Sequence, residues 1–233
     1  MVASIIFRKT VNGFTLIEVM VALFIMSVST MLLLANYPDS TVRLTLLNNT
    51  HSFALLLREA QIRGSAVDSA STTIGGYGVF INKVATPNQA ILFSDSADNI
   101  SGIVTTNSAG LAIGDGVYNT VYSPDDTVKE ILKFKDGYTF KKLCVATTTV
   151  TEYISDPKPY LCDTIDGVQI NTLAISFMRP SQVAHMYVNG ITANDYTSAC
   201  VELYSPKSPN LGHIRSVQIL HSGVITTNAK TCD

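Results

Sequence analysis

The sequence predicts an α+β protein in which a long N-terminal helix precedes a domain of antiparallel β-strands. Residues 14–35 are almost wholly apolar, and a helical pattern with one apolar side resumes after Pro38. From residue 77 onward, short alternating segments are separated by turn residues. Hydrophobic residues make up 46% of the chain and charged residues 15%, which excludes a disordered chain. The formal net charge of −2 predicts no general affinity for nucleic acid or anionic membranes.

The apolar segment from Phe14 to Ala35 is long enough to cross a membrane as one helix. At 1.5 Å per residue it would extend about 33 Å, more than the thickness of a bilayer core. Arg8 and Lys9 precede it, so we expect them to stay cytoplasmic and the remainder to lie outside. No small-residue cleavage site follows the segment, which ends at Asn36-Tyr37-Pro38. We therefore expect the helix to remain in the mature protein.

One carboxylate, Glu18, interrupts the apolar segment. An unpaired carboxylate at this depth costs a few kcal/mol, so it calls for a functional explanation. If the chain is cut between Gly13 and Phe14, the new α-amine lies one helical turn before Glu18. The amine of one subunit could then pair with Glu18 of its neighbour. The alternative is that Glu18 reaches the membrane surface from an uncleaved helix end.

The string from Gly13 to Leu23, GFTLIEVMVAL, closely resembles the processing motif of type IV pilins and type II secretion pseudopilins. The resemblance implies cleavage after Gly13 by a prepilin peptidase and N-methylation of Phe14. It also implies a role for Glu18 in methylation and subunit docking. The protein would then be a structural subunit without enzymatic activity. Its expected partners are other pilin subunits, the peptidase and methyltransferase, and an inner-membrane assembly platform.

The same resemblance implies the pilin fold and a single-pass inner-membrane precursor whose C-terminal domain lies outside. After processing, the subunit would belong to an extracellular or periplasmic filament. The predicted divisions are a cleaved leader (1–13), a membrane or filament-core helix (14–36), an amphipathic second half of the helix (37–66) and an extracytoplasmic β-rich domain (67–233).

The second half of the helix is predicted to pack on a sheet. Its apolar side comprises Val42, Leu46, Phe53, Leu56 and Ala60, and its polar side comprises Asn48, Ser52, Glu59 and Arg63. Glu59 and Arg63 form a favourable pair four residues apart. We expect Pro38 to kink or locally melt the helix and Gly64 to end it.

The C-terminal domain is predicted to contain seven to nine antiparallel strands. Asp136-Gly137, between two alternating segments, predicts a β-hairpin, and residues 95–127 are expected to form a long loop. The clearest strand candidates are Tyr77–Ile81, Ala90–Ser94, Val128–Lys135, Tyr138–Val145, Thr172–Met178, Ala199–Leu203, His213–Leu220 and Val224–Thr227.

A second resemblance concerns the GspH/FimT-like branch of minor pseudopilins and pilins. It lies in Leu55-Leu56-Leu57-Arg58-Glu59-Ala60-Gln61, in Phe177-Met178-Arg179-Pro180 and in Gly212-His213-Ile214-Arg215 with Ser222-Gly223. This branch implies a minor subunit near a filament tip with a β-sandwich-like head. Some of its members bind DNA through a G-R-x-R motif, here changed to Gly212-His213-Ile214-Arg215. A DNA contact at Arg215 or an adhesive tip role is therefore the alternative to a purely structural function. A simpler interpretation is an edge strand with one exposed arginine.

The four cysteines, Cys144, Cys162, Cys200 and Cys232, contain no C-x-x-C pair, which argues against zinc. An even number in an exported domain favours disulfides. Of the three connectivities, we prefer Cys144–Cys162 with Cys200–Cys232. Four buried free thiols remain the alternative.

Other candidate sites have simpler structural explanations. The lysines at 129, 133, 135, 141 and 142 could face an anionic partner, but they also suit a solvated strand that resists aggregation. Oxygen ligands at Asp95, Asp98, Asn99, Asp125 and Asp126 could hold calcium, although Asx-turns explain them better. We expect no cofactor and no nucleic-acid partner. The four histidines and the serines form no catalytic or metal-binding pattern in sequence.

Overall fold

The computed structural model describes residues 13–66, 74–96, 99–100, 103–104, 116–118, 126–135, 137–147, 160–165, 167–178, 182–190, 196–205 and 214–232. Over these residues the chain divides into two units at Thr41/Val42. The elements are α1 (Leu16–Ser65), β1 (Ile74–Asn82), β2 (Gln89–Ser96), β3 (Asn99–Ile100), β4 (Ile103–Val104), β5 (Thr127–Lys133), β6 (Thr139–Thr147), β7 (Leu161–Cys162), β8 (Thr164–Ile165), β9 (Val168–Gln169), β10 (Thr172–Met178), β11 (Ala184–Val188), β12 (Tyr196–Tyr204), β13 (Ile214–Leu220) and β14 (Ile225–Asn228).

The first half of α1 is apolar on every side. Its segment Leu16–Leu34 has a mean hydropathy of 2.3 and none of it is buried. By length and composition this segment can cross a bilayer. The helix continues through Pro38, so the expected local melting there is wrong. The loss of one amide donor does not end a helix whose flanking turns are both strongly helical.

The second half of α1 is amphipathic, as its periodicity predicts. Leu46, Phe53 and Ala60 are at most 1% exposed, whereas Asn48 and Ser52 on the other side are exposed. Burial of this stripe stabilises the helix, because propensity alone holds an isolated helix only marginally.

α1 ends at Ser65, one residue after Gly64 and thus close to the predicted end. A Cβ atom on Gly64 would collide with the carbonyl oxygen of Phe177 in β10. This glycine is required for the close approach of helix and strand, which sequence periodicity does not reveal.

Two five-stranded sheets carry most of the C-terminal unit. Sheet 1 has the order β11-β10-β1-β2-β5, and sheet 2 has the order β14-β13-β12-β6-β7. All their strand pairs are antiparallel. Nine described strands have four or more residues, in agreement with the upper end of the predicted count. The predicted α+β class with antiparallel strands is confirmed.

The predicted hairpin at Asp136-Gly137 is wrong. β5 pairs with β2 at the edge of sheet 1, whereas β6 pairs with β12 and β7 in sheet 2. The connection therefore carries the chain from one sheet to the other. Phe134 and Tyr138 within it are buried, so their burial between elements outweighs the local tendency of Asp-Gly to form a hairpin.

One core is shared by the second half of α1 and the inner faces of both sheets. The ring of Phe53 meets that of Phe140 at a centroid distance of 5.2 Å, and Phe140 meets Phe134 at 5.1 Å. The hydroxyl of Tyr138 donates to the carbonyl oxygen of Val42 over 3.0 Å. The inner faces contribute Val79, Ile81, Leu92, Leu173, Ile175 and Phe177 from sheet 1 and Leu143, Val145, Ala199, Val201, Leu203, Val217 and Ile219 from sheet 2, all fully buried.

Candidate processing and assembly site

The peptide between Gly13 and Phe14 lies just before the first turn of α1. Residues 13–15 are not helical, and the helix begins at Leu16. Phe14 is 82% exposed, and a Cβ atom placed on Gly13 would meet nothing within 4 Å. On the side of this peptide that the structure describes, a protease therefore has steric access.

Glu18 lies in the first turn of α1 and is exposed. Its backbone N–H donates to the carbonyl oxygen of Thr15 over 3.1 Å and to the Thr15 hydroxyl over 3.4 Å. Thr15 is thus the N-cap, and Thr15-x-x-Glu18 has the spacing of a capping box. A carboxylate in this turn also interacts favourably with the helix dipole. The Thr-x-x-Glu spacing is present in the sequence, but Glu18 was interpreted from the sequence only as a charge in an apolar segment.

An accessible glycine and an aromatic residue thus precede the apolar helix, and a carboxylate lies in its first turn. The profile of the prokaryotic N-terminal methylation motif matches residues 8–34. The chain carries the N-terminal signature of the type IV pilins and pseudopilins. This pilin-like signature includes Gly13, Phe14 and Glu18, and together with the apolar helix it indicates membrane anchoring. No curated protein and no solved structure matches the chain.

The two disulfides lie on the outer face of sheet 2. Cys144 is bonded to Cys162 and Cys200 to Cys232, which is the preferred pairing. Cys144 and Cys200 are direct neighbours on β6 and β12. The first bridge therefore links the neighbouring strands β6 and β7, and the second holds the C-terminal segment to β12.

A buried carboxylate supports the C-terminal segment. Glu202 is fully buried, and its Oε1 accepts the backbone N–H of Cys232 over 2.7 Å. The hydroxyl of Ser216 donates to the carbonyl oxygen of Lys230 over 2.7 Å. Nothing in the sequence near Glu202 indicates this long-range role.

The interpretation of Arg215 as a residue on an edge strand is wrong. β13 lies between β12 and β14, and Arg215 is half-buried opposite Leu203. Sheet pairing makes this strand internal, which its sequence pattern cannot reveal. Gly212 and His213 lie outside the described residues.

The basic region divides between two sheets. Lys129, Lys133 and Lys135 are exposed on or beside β5, which is an edge strand of sheet 1. Lys141 belongs to β6 and stands over the ring of Tyr204, 5.3 Å from its centroid. The lysines of β5 thus suit protection of an exposed sheet edge.

Two of the candidate calcium ligands bind backbone amides, and a third, Asn99, lies on β3. Asp95 accepts the N–H of Gly116 over 2.8 Å, and Asp126 accepts the N–H of Ser96 over 2.9 Å. Burial, followed by the charge of Asp126, raises the pKa of the Tyr118 phenol above its usual value of 10.0. Asp98 and Asp125 lie outside the described residues. Calcium binding remains an untested alternative to the expected absence of a cofactor.

Proposed function

We propose that this chain is a minor structural subunit of a type IV pilus or a type II secretion-like filament. The observation that carries the proposal is the exposed Glu18 one helical turn after the accessible Gly13–Phe14 peptide, on an otherwise apolar helix. The pilin-like signature supports the filament class. The minor type is supported by the resemblance of the helix end and of β10 to the GspH/FimT-like branch.

In this proposal a prepilin peptidase cuts after Gly13 and the new amine of Phe14 is methylated. Cleavage removes the leader that contains Arg8 and Lys9 and leaves a positive charge at the helix start. That amine and the Glu18 carboxylate of a neighbouring subunit attract each other strongly, because little water is present in a packed apolar environment. Pairing thus removes the cost of an isolated carboxylate and fixes the axial position of the incoming subunit.

The exposed apolar surface of Leu16–Leu34 suits two successive environments. Before assembly it faces lipid, and after assembly it faces the helices of neighbouring subunits. Arg8 and Lys9 orient the precursor with its C-terminal unit outside the cytoplasm. The proposed role requires no catalytic group on the chain itself.

Processing is tested by intact-mass measurement and N-terminal sequencing of the protein isolated from its native membrane. We expect a chain that starts at Phe14 and carries one additional methyl group. Cells without prepilin peptidase serve as the control and should contain a chain that starts at Met1. A Met1 start in cells with an active peptidase contradicts the proposal.

Assembly is tested with Glu18→Gln. Glutamine keeps the polar group that a capping box needs at this position but removes the charge. We expect normal membrane insertion with at least a tenfold loss of incorporation into sheared filaments, measured by quantitative mass spectrometry. Glu59→Gln, in the C-terminal unit, is the matched control and should assemble normally. Equal incorporation of the two variants contradicts the pairing of Glu18 with the Phe14 amine.

A tip role in DNA capture is tested separately by salt-dependent gel shifts with the full-length protein in detergent. The exposed lysines of β5 are the described groups that favour it, because phosphate affinity grows with the number of cationic contacts. Absence of a shift at low salt contradicts DNA capture and leaves the filament proposal unchanged.

A further inference from the structure

The four cysteines form one cluster on sheet 2, together with the ring of Tyr160. Strand pairing places three of them side by side, because Cys144 on β6 is opposite both Cys162 on β7 and Cys200 on β12. The Cα atoms of residues paired in this way are about 4.5–5.5 Å apart, which lies within the range that a disulfide spans. Cys144 therefore has two neighbours with which it could form a bridge, and strand pairing alone does not choose between them.

The choice depends on the fourth cysteine, Cys232, which follows β14 and belongs to no strand. If Cys232 is bonded to Cys200, then Cys200 cannot bond to Cys144, and Cys144 is left with Cys162. The observed bridges, Cys144–Cys162 and Cys200–Cys232, are this combination. Whatever brings Cys232 to Cys200 thus determines both bridges.

Two side chains hold the C-terminal segment that carries Cys232. Oε1 of Glu202 on β12 accepts the backbone N–H of Cys232 over 2.7 Å. The hydroxyl of Ser216 on β13 donates to the carbonyl oxygen of Lys230 over 2.7 Å. Glu202 and Ser216 are direct partners across the two strands, and Glu202 lies two residues after Cys200, on the same face of the sheet. These contacts involve no sulfur atom, so they can place Cys232 beside Cys200 before the bridge forms.

The side chain of Glu202 is costly to bury. It is fully buried, and among the described residues its Oε2 has no hydrogen-bond partner. Removing a carboxylate from water costs free energy that one hydrogen bond recovers only in part. A carboxylate, however, accepts a backbone N–H more strongly than a neutral oxygen does. Glu202 thus has the chemistry of a specific acceptor for the amide of Cys232.

We propose that Glu202, assisted by Ser216, is a positioning residue that selects the disulfide pairing of this chain. It binds the C-terminal segment of the reduced chain, brings Cys232 to Cys200 and thereby prevents a Cys144–Cys200 bridge. In each oxidation two thiols lose two protons and two electrons, which oxidised glutathione or another disulfide oxidant takes up to become two reduced thiols. This selection is independent of the N-terminal signature and of the proposed filament role.

The test is oxidative refolding of the reduced, denatured full-length chain in detergent with a mixture of reduced and oxidised glutathione. Peptide mapping by mass spectrometry measures the ratio of the Cys144–Cys200 bridge to the Cys200–Cys232 bridge. Glu202→Leu removes the acceptor at similar volume and should raise this ratio by about tenfold or more, as expected for the loss of a hydrogen bond to a charged group. Glu202→Gln keeps an oxygen acceptor and should stay within about threefold of the wild-type chain.

Ser216→Ala and Ser198→Ala are a matched pair that tests the second contact. Both serines are buried on sheet 2, and Ser198 lies on β12 two residues before Cys200. Ser216→Ala should raise the ratio about threefold through the loss of a neutral hydrogen bond, whereas Ser198→Ala should leave it unchanged. An unchanged ratio in Glu202→Leu, or an equal rise in the two serine variants, overturns the proposal.

If Glu202→Leu fails to fold, a chain with Cys200→Ser and Cys232→Ser decides. This chain lacks the second bridge but keeps both contacts to the C-terminal segment. We expect hydrogen exchange of the backbone amide at position 232 to be at least about tenfold slower than in an unstructured peptide. Exchange at the unstructured rate overturns the proposal, because the disulfide and not Glu202 would then hold the segment.

Discussion

The two parts of α1 differ in what surrounds their apolar side chains. In Leu16–Leu34 the side chains are exposed on every side of the helix. After Val42, one side of the helix is buried against the two sheets, and Phe53 and Leu57 are completely inaccessible to solvent. Met26 in the first part and Ile62 in the second are 66% and 69% exposed. Exposure alone therefore does not distinguish a residue that faces lipid from one that faces water.

The apolar side chains of the first part have no protein core to pack against in the described structure and so need an apolar surrounding such as lipid. Those of the second part pack in the core that α1 shares with the two sheets. Apolar surface is stabilised only when it leaves water. The first part must therefore be covered by lipid or by neighbouring subunits. Substitutions in each part, paired with a control at a residue of contrasting surroundings, test this difference directly.

The largest effect is expected for Phe53→Ala in the buried stripe. Removal of the ring should lower the free energy of unfolding by about 3–5 kcal/mol, because it leaves a cavity beside Phe140. Leu55→Ala is the matched control on the opposite side, where Leu55 is 61% exposed, and should change the free energy by at most about 0.5 kcal/mol. Urea unfolding of the full chain in detergent measures both. Similar losses in the two variants would contradict the assigned burial.

A charge in the first part should impair membrane insertion. Met26→Asp places a carboxylate near the middle of the apolar segment, at a cost of about 3 kcal/mol. Ile62→Asp, at a residue of similar exposure, should leave insertion unchanged. The fraction of protein that resists alkaline extraction from membranes measures the effect. Equal extraction of the two variants would show that the first part does not require lipid.

Gly64→Ala tests the close approach between α1 and β10. Alanine favours a helix over glycine by about 1 kcal/mol, but its Cβ would collide with the carbonyl oxygen of Phe177. We therefore expect a net loss of about 1–3 kcal/mol in the free energy of unfolding. Ile62→Ala, on the exposed side, is the control and should be nearly neutral. Stabilisation by Gly64→Ala would mean that the helix and strand can separate at no cost.

The smallest effect concerns the ion pair of Glu59 with Arg63 on the partly exposed side of α1. Arg63 also lies 6.0 Å from the centroid of the Tyr77 ring, so its substitution alone removes more than the ion pair. A double-mutant cycle with alanine at both positions should give a coupling energy of about 0.3–0.5 kcal/mol. The coupling should disappear in about 1 M salt. A coupling above about 1 kcal/mol would indicate that the pair is less solvated than its exposure suggests.

Local patterns predicted the elements well but not their partners. The periodicity of Leu46, Phe53 and Ala60 identified the buried side of the helix, because side chains spaced by whole turns share a face. The predicted strand segments likewise coincide with β1, β2, β10 and β13. The partners of β5 could not be predicted, because Asp136-Gly137 has the local chemistry of a hairpin while the burial of Phe134 and Tyr138 decides the connection. The same limit concealed the internal position of Arg215.

The sequence by itself determined the N-terminal signature, the apolar helix and the class of the C-terminal unit, since each depends on residues close together along the chain. Only the tertiary structure decided which strands pair, why Gly64 must be a glycine and that Glu202 binds the C-terminal segment. These features depend on contacts between residues that are distant in sequence, and the neighbouring residues in the sequence do not indicate which partners they contact. Glu18 illustrates both contributions, because its position in the sequence led to the proposal of a pairing role and the structure adds its place in the first turn, where its N–H is bonded to Thr15.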